Sequence, residues 1–398
     1  MTGRPTRSFD LIVIGAGPAG TAAACTALRN GLRTALIDKH DFPRDKLCGG
    51  GLTGRAIGHY ARIFGKTMPE IPLEKRKSFE FYAFGQNLEA GEDAPPIHLC
   101  MRHDLDAYLV RLAVEAGVED FTGQSGTLDL DATAVDLPKI RLVAPVIIAA
   151  DGVNSPTAKL LFGEAFDRKQ IGFALEVERP GPATDVPLRI DFGAAEWGYG
   201  WQFPKTGGTT IGVGGVMHRN ADMKAKMAAY LEQLGVTEPL KVKGQFLPFG
   251  GFRATPGKGC VLLAGDAAGL VDPITGEGIA HAMRSGELAG IAVAQALANQ
   301  APQSALKRYK RSLKPIHSSL KQARVLRQIM FREALRPTFI QSFRRSKTLK
   351  SEYLRLLAGE TEYGAIMRQM VIRAPGFALR ALRDAKSPSK GPDKFISR

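Results

Sequence analysis

Residues 9–20 read FDLIVIGAGPAG, and the fold follows from how this stretch is interpreted. Phe9–Gly15 is a continuous apolar run broken only by Asp10, as expected of a strand buried on both faces in a parallel sheet. Gly15-Ala16-Gly17-Pro18-Ala19-Gly20 closes it as a GxGxxG turn. Residues 19–30 are alanine-rich and helical, Gly31 suits the end of that helix, and Arg33–Asp38 (RTALID) is a second strand. Within a complete strand–helix–strand unit that ends on an acid, the glycine pattern indicates dinucleotide binding. Gly15 makes the turn, Gly17 lets the backbone approach a pyrophosphate at the positive end of the helix, and Gly20 lets helix and strand pack closely. Asp38 is placed to accept from an adenosine ribose hydroxyl.

Outward from this unit, a helix is expected over Asp104–Ala116 and a strand over Val146–Ala150, ending at Asp151-Gly152. Cys260–Ala264 reads as another short buried strand, followed by Gly265-Asp266 and a helix from about 277 to 299. Residues 168–252 differ: short strands with alternating apolar residues and one helix near 221–234, the pattern of a mostly antiparallel sheet. Gly212-Val213-Gly214-Gly215 falls between apparent strands and reads as sheet or bulge rather than a second nucleotide turn. The chain is helical from 304, and its Ser/Pro/Lys/Gly-rich end after 385 is expected to be flexible.

At 398 residues the chain is long enough to bury a sizeable core, and 44% hydrophobic with 23% charged residues excludes wholesale disorder. Cys25, Cys48, Cys100 and Cys260 stand far apart without CxxC spacing, which argues against a disulfide framework or a zinc site and for a reducing compartment. The longest uncharged run, Leu11–Leu28, is interrupted by Gly15, Gly17, Pro18 and Gly20, so no membrane span is expected. No small-residue cleavage site follows Arg4 and Arg7, so a signal peptide is not expected either. The protein reads as cytoplasmic, or peripheral on the inner membrane face. Residues 301–398 hold 23 Lys and Arg against 6 Asp and Glu, so the net charge of +15 arises in that quarter and the rest is near neutral. A clustered positive field attracts anionic surfaces.

Three further segments carry a resemblance. Arg102 opening RHDLDAYL, Asp151-Gly152-Val153-Asn154-Ser155, and Gly265-Asp266-Ala267-Ala268-Gly269 together resemble the para-hydroxybenzoate-hydroxylase-like FAD flavoproteins. Pro43–Leu52 (PRDKLCGGGL) and Asp272–Ile279 (DPITGEGI) are similar to motifs of the geranylgeranyl reductase family, which hydrogenates isoprenoid double bonds with reduced FAD. The likeness covers roughly residues 9–300. It implies an α/β fold: a Rossmann-type FAD-binding domain assembled from separated segments (1–75, 99–166, 253–303), an antiparallel-sheet substrate domain (76–98, 167–252), a basic helical module (304–385) and a tail (386–398). The cofactor contacts it implies are Gly15, Gly17, Ala19, Gly20, Asp38, Lys39, Arg44, Cys48, Gly49, Gly50, Arg102, Asp151, Gly265, Asp266, Gly276, Glu277, Gly278 and Ile279. Among these, Asp266 would accept from ribityl hydroxyls. Gly276 and Gly278 flank the start of a helix whose positive end suits an anionic reduced flavin.

Residues 196–204 read EWGYGWQFP. Strand alternation puts Tyr199, Trp201 and Phe203 on one face, and by pattern alone that face is either ordinary core or the wall of an apolar cavity. The segment resembles the family signature Pro-x-x-Tyr-x-Trp-x-Phe-Pro, with Glu196 in place of the first proline. The resemblance therefore implies substrate contacts at Cys48, Gly50, Tyr199, Trp201 and Phe203, with Cys48 and Tyr199 as catalytic proton-donor candidates beside hydride from reduced FAD. The reading is reduction of carbon–carbon double bonds in an isoprenoid chain on a lipid or pigment. A flavin-dependent hydroxylase on the same fold, or a non-catalytic flavoprotein docking to an anionic surface, stands as the alternative. The electron donor stays open between NADPH and a ferredoxin-like protein, because Ala158 and Lys159 stand where related hydroxylases carry an arginine.

In the basic module, Phe339, Phe343, Leu349, Tyr353, Leu356 and Leu357 recur at helical spacing amid Arg344, Arg345, Lys347, Lys350 and Arg355. Two readings stand: docking on an anionic membrane face, or a solvated helical face packed on the flavin domain. No nucleic-acid-binding motif accompanies the charge, so no nucleic-acid partner is expected.

Overall fold

The computed structural model describes residues 4–91, 95–182 and 185–368. Leu11–Ile14 lies inside a six-stranded sheet ordered Gly257–Lys258, Val261–Leu263, Val146–Ala149, Leu11–Ile14, Thr34–Ile37, Glu119–Phe121. Its pairings are parallel except that of Gly257–Lys258. All four residues of Thr34–Ile37 and of Val146–Ala149 are buried, which is why both read as unbroken apolar runs. The first helix, Pro18–Arg29, begins at Pro18, where the missing N–H would have no helical partner anyway. It packs against the long helix Ile279–Ala298 through small residues: a Cβ at Gly286 would lie 2.0 Å from the Ala19 carbonyl oxygen. The helix Arg102–Glu115 opens at Arg102, as the RHDLDAYL segment implied, two residues ahead of the bound read from periodicity.

A second sheet has seven strands, ordered Lys243–Leu247, Gly172–Pro180, Gly208–Val216, Tyr199–Lys205, Arg189–Phe192, Phe79–Ala83, Gln86–Gly91. It is antiparallel except where Arg189–Phe192 meets Phe79–Ala83. Residues 79–91 thus join strands formed more than eighty positions later. The helix Met223–Gln233 covers one face through Met223, Met227 and Tyr230, packed with Val177, Ile211 and Val213. Gly212–Gly215 lies within the strand Gly208–Val216.

The fold class is the one expected, with helices following the two sheets. The basic helices, however, are not an appendage. Lys314–Phe331, Arg336–Arg345 and Lys347–Leu357 pack onto the second sheet. Phe343 and Tyr353 set their rings 6.1 and 5.6 Å from Phe81, and Tyr353 stands 5.7 Å from Phe192. Their apolar stripe is packed internally, but against the second sheet and not the flavin domain as expected: Phe343, Tyr353, Leu356 and Leu357 are buried, Phe339 and Leu349 partly so. Arg344, Arg345 and Lys347 remain exposed. No helix among the described residues is long and apolar enough to cross a membrane. The expected tail, 386–398, and the end of the basic module lie outside the described residues.

Candidate active site

A cavity of about 1010 Å³ runs from the GxGxxG turn and Asp38, past Arg44, Arg102 and Asp266, to the 48–51 loop, the 275–279 turn and one face of the second sheet. At its first end Gly15 and Gly20 are obligatory. Gly15 has φ +99°, and a Cβ there would sit 2.3 Å from the Ala150 carbonyl oxygen; a Cβ at Gly20 would sit 1.7 Å from that of Gly15. Asp38 accepts from the backbone N–H of Ala16 at 2.8 Å and of His40 at 2.9 Å, tying the turn to the end of the second strand. Lys39 is exposed at the rim.

Asp106, which the sequence reading passed over, organises the next stretch. It is fully buried and accepts from Arg102 Nε at 2.8 Å and Nη2 at 2.7 Å, while Arg44 Nη2 stands 3.0 Å away. Both guanidiniums approach Gly17: a Cβ at that position would lie 3.6 Å from Arg44 and 3.9 Å from Arg102. A helix N-terminus and two braced guanidiniums thus surround the turn, an arrangement suited to a pyrophosphate. Asp106 stands four residues after Arg102, a helical pairing the sequence could have revealed. Gly265 donates from its N–H to Ser285 Oγ at 2.9 Å and has φ +62°, which holds Asp266 at the cavity. Asp151 accepts from Thr157 N–H at 3.1 Å through one oxygen, and burial pushes its carboxyl above the usual range.

At the other end the loop 48–50 lies against the aromatic strand. Gly50 has φ +72°, and a Cβ there would meet the Cys100 carbonyl oxygen at 2.0 Å; one at Gly49 would meet the Phe203 ring at 2.7 Å. Cys48 is bound on three sides. Its N–H donates to Glu176 Oε1 at 3.2 Å, its carbonyl accepts from Lys205 Nζ at 3.3 Å, and its Sγ accepts from Gly50 N–H at 3.4 Å. The thiol also stands beside Arg102.

Tyr199, Trp201 and Phe203 all line the cavity, as the alternation implied. Trp201 pairs with Gly212, which pairs with Glu176 on the next strand. A Cβ at Gly212 would sit 2.3 Å from the indole, and one at Gly214 3.3 Å away, so the glycine run is the bed on which Trp201 lies. Glu196 is exposed in the turn ahead of the strand, its N–H bonded to Asn220 Oδ1 at 2.8 Å, so the missing proline falls outside the cavity.

Two of the expected site residues have their polar groups held by the protein itself. Tyr199 donates its hydroxyl proton to the Thr275 carbonyl at 3.0 Å, and burial pushes its pKa up, so the phenol braces the 275–278 turn and is a poor acid. Glu277 is among the residues lining the cavity, and its carboxylate is held by Thr53 and Arg55, which anchors the turn. The same turn is held from the C-terminal segment, where Tyr363 donates to Asp272 at 2.7 Å and Arg55 pairs with Glu362 at 3.1 Å. Gly276 has φ +72°, and Gly278 caps the helix that begins at Ile279.

Glu176 and Lys205 are further residues missed in the sequence. Each is nearly inaccessible, at 3% and 1% exposure, on an inner sheet face. The available signal was two acids two positions apart in the apolar strand FALEVERP. Burial pushes Glu176 up to about 7, against the opposing influence of Lys205.

Comparison with known proteins places this architecture. Residues 10–121 match the family described as FAD dependent oxidoreductase and residues 251–323 the FAD binding domain. The chain is 32% identical over 317 residues to the menaquinone reductase of Mycobacterium tuberculosis, covering 71% of this chain and 76% of that protein. It is 30% identical to the digeranylgeranylglycerophospholipid reductase of Thermoplasma volcanium, over 70% of this chain and 76% of that one. The chain belongs to the geranylgeranyl reductase family of FAD-dependent oxidoreductases. In fold it is similar to a geranylgeranyl bacteriochlorophyll reductase-like protein of Thermoplasma acidophilum, with a TM-score of 0.76 and 21% identity, over 92% of this chain and 99% of that one.

The cavity fits the cofactor of this family. Besides the cationic turn, three residues that line it each carry a buried polar atom with no partner in the protein: Asp151 Oδ1, Glu176 Oε2 and Trp201 Nε1. Buried polar atoms are normally paired, so orphans clustered around one cavity point to a polar occupant.

Proposed function

We propose that the protein saturates carbon–carbon double bonds of an isoprenoid chain carried by a lipid, quinone or pigment. The observation that carries this reading is the continuity of the cavity. The cationic dinucleotide turn at one end opens, past Cys48 and the Gly276 turn, onto an apolar wall that includes Phe79, Ile97, Leu188, Ile190, Tyr199, Trp201, Phe203 and Leu357. Such a wall removes a long apolar chain from water at about 25 cal/mol per Å² and offers ring faces to positive charge developing on an alkene.

Bound FAD, once reduced, supplies the hydride. The chain's own residues do the rest. Gly15, Gly17, Ala19 and Gly20 bring backbone to the pyrophosphate, with Arg44 and Arg102 neutralising its charge from the Asp106 brace. Asp38 and Lys39 serve the adenosine end, and Asp151, Gly265 and Asp266 the ribityl end. Gly49, Gly50, Gly276, Gly278 and Ile279 allow a flat ring to lie close to backbone, at the N-terminus of Ile279–Ala298. Cys48 lines the reacting space and, with Tyr199, Trp201 and Phe203, excludes water from it. The donor that reduces the cofactor is NADPH or a ferredoxin-like protein. The exposed Arg344, Arg345 and Lys347 favour electrostatic attachment to an anionic membrane face, without insertion, since the neighbouring apolar residues are already buried.

The test is anaerobic. Purified protein is reduced with dithionite and its flavin spectrum followed as prenyl lipids are added. Reoxidation without oxygen, with a product heavier by one pair of hydrogens, is the expected result. Reoxidation only on admitting air, with an oxygenated product, would replace this reading by that of a hydroxylase.

A further inference from the structure

Saturating an isolated double bond needs a proton for the second carbon as well as a hydride for the first, and an unactivated alkene has no carbonyl to hold the negative charge while it waits. The proton donor must therefore face the reacting space. Tyr199 has committed its proton to Thr275. Glu176 has not. Glu176 is 3% exposed and is one of the residues lining the cavity; Oε1 accepts from Cys48 N–H at 3.2 Å, and Oε2, itself buried, has no partner in the protein. It lies in line with Trp201 across Gly212, and the indole N–H is the other unpartnered polar atom of this wall.

We propose that Glu176 is the general acid of the reaction, its unpartnered carboxyl oxygen carrying the proton that the second alkene carbon receives; the proposal rests on the reductase reading above. In this step the O–H bond of Glu176 breaks and a C–H bond forms, drawing on the electron pair of the double bond, while the hydride that balances the reduction comes from the cofactor's chemistry. Glu176 is left as a carboxylate, facing Lys205, and regains its proton from water between turnovers. The groups around it set its acidity. Lys205 from the aromatic strand, Lys46 and the Cys48 N–H from the loop, and Lys243 from the edge strand favour the charged form. Glu178, two residues along its own strand, opposes it, and so does burial. Their sum leaves the carboxyl near 7, protonated in a useful fraction of molecules at neutral pH, where a general acid is most effective.

The test compares wild type with Glu176→Gln and Glu176→Asp, using reduced protein and a geranylgeranyl lipid without oxygen. Glu176→Gln is expected to retain bound flavin and its reduction by dithionite, yet to slow lipid-dependent reoxidation about 10²–10⁴-fold. Glu176→Asp should recover part of the rate. In wild type that rate falls as pH rises through about 7; in Glu176→Gln this dependence is absent. Infrared difference titration, which requires no turnover, should show in wild type a protonated-carboxyl band that disappears near neutral pH and is missing from Glu176→Gln. An active wild type with an equally fast Glu176→Gln of unchanged pH profile, or a wild-type spectrum without the titrating band, overturns the assignment alone. A wild type that oxidises its flavin on no prenyl substrate overturns the reductase reading and this proposal with it.

Discussion

A carboxyl buried in its neutral form stabilises the fold only while it keeps its proton. For Glu176 the folded protein binds the proton up to about 7, the unfolded chain only to the ordinary value of 4.5. Its contribution is therefore complete below about 4.5, is lost as pH rises through about 7, and amounts to at most about 3 kcal/mol. Denaturant unfolding of the wild type relative to Glu176→Gln should show this loss between pH 4.5 and 8; parallel stability curves would mean that Glu176 is charged throughout. Residue chemistry was legible in the sequence where a local pattern expresses it. The glycines and Asp38 stand at fixed spacings around one turn, and the structure puts them there. Glu176 and Lys205 escaped because a buried charge is recognised by what surrounds it, and their neighbours come from strands and loops distant in sequence; Asp106 was within reach, since its bond to Arg102 spans one helical turn.

At the scale of elements, strand alternation suffices to place Tyr199, Trp201 and Phe203 on one face, because side chains alternate strictly along a strand. Register decides the rest. The pairing of Trp201 with Gly212 explains Gly212 and Gly214, which by sequence belong to an ambiguous sheet or bulge and in the structure leave room for an indole. In Gly212→Ala the new methyl would lie 2.3 Å from Trp201 and 2.7 Å from the Leu175 carbonyl oxygen. Overpacking of this kind costs about 1–3 kcal/mol. We expect a lower unfolding midpoint, changed Trp fluorescence and weaker flavin retention; an unaltered spectrum with wild-type stability would place the indole elsewhere.

For the whole molecule the basic C-terminal helices matter more than their charge suggested. They cover Phe81 and Phe192, contribute Leu357 to the cavity, and reach the Asp272–Glu277 turn through Tyr363 and Glu362. A chain ending at Arg332 would expose that aromatic face and release one side of the turn. It should emerge aggregated or without flavin, measured as flavin absorbance per protein and by size exclusion. A monodisperse, flavin-loaded product would make the helices an appendage after all.

The sequence alone determined the α/β class, the dinucleotide turn and the aromatic face, since each is written in residues close along the chain and follows from backbone sterics and the periods of helix and strand. The tertiary structure decided what those pieces enclose. It set the apolar stripe of the last helices against a sheet rather than a lipid surface, gave the Tyr199 hydroxyl and the Glu277 carboxylate a bracing role, and brought a carboxyl with one unpartnered oxygen beneath the Cys48 loop. Hydrophobic burial has no direction, and the acidity of a group depends on every charge within reach. Both are properties of neighbours, and neighbours are chosen by the fold.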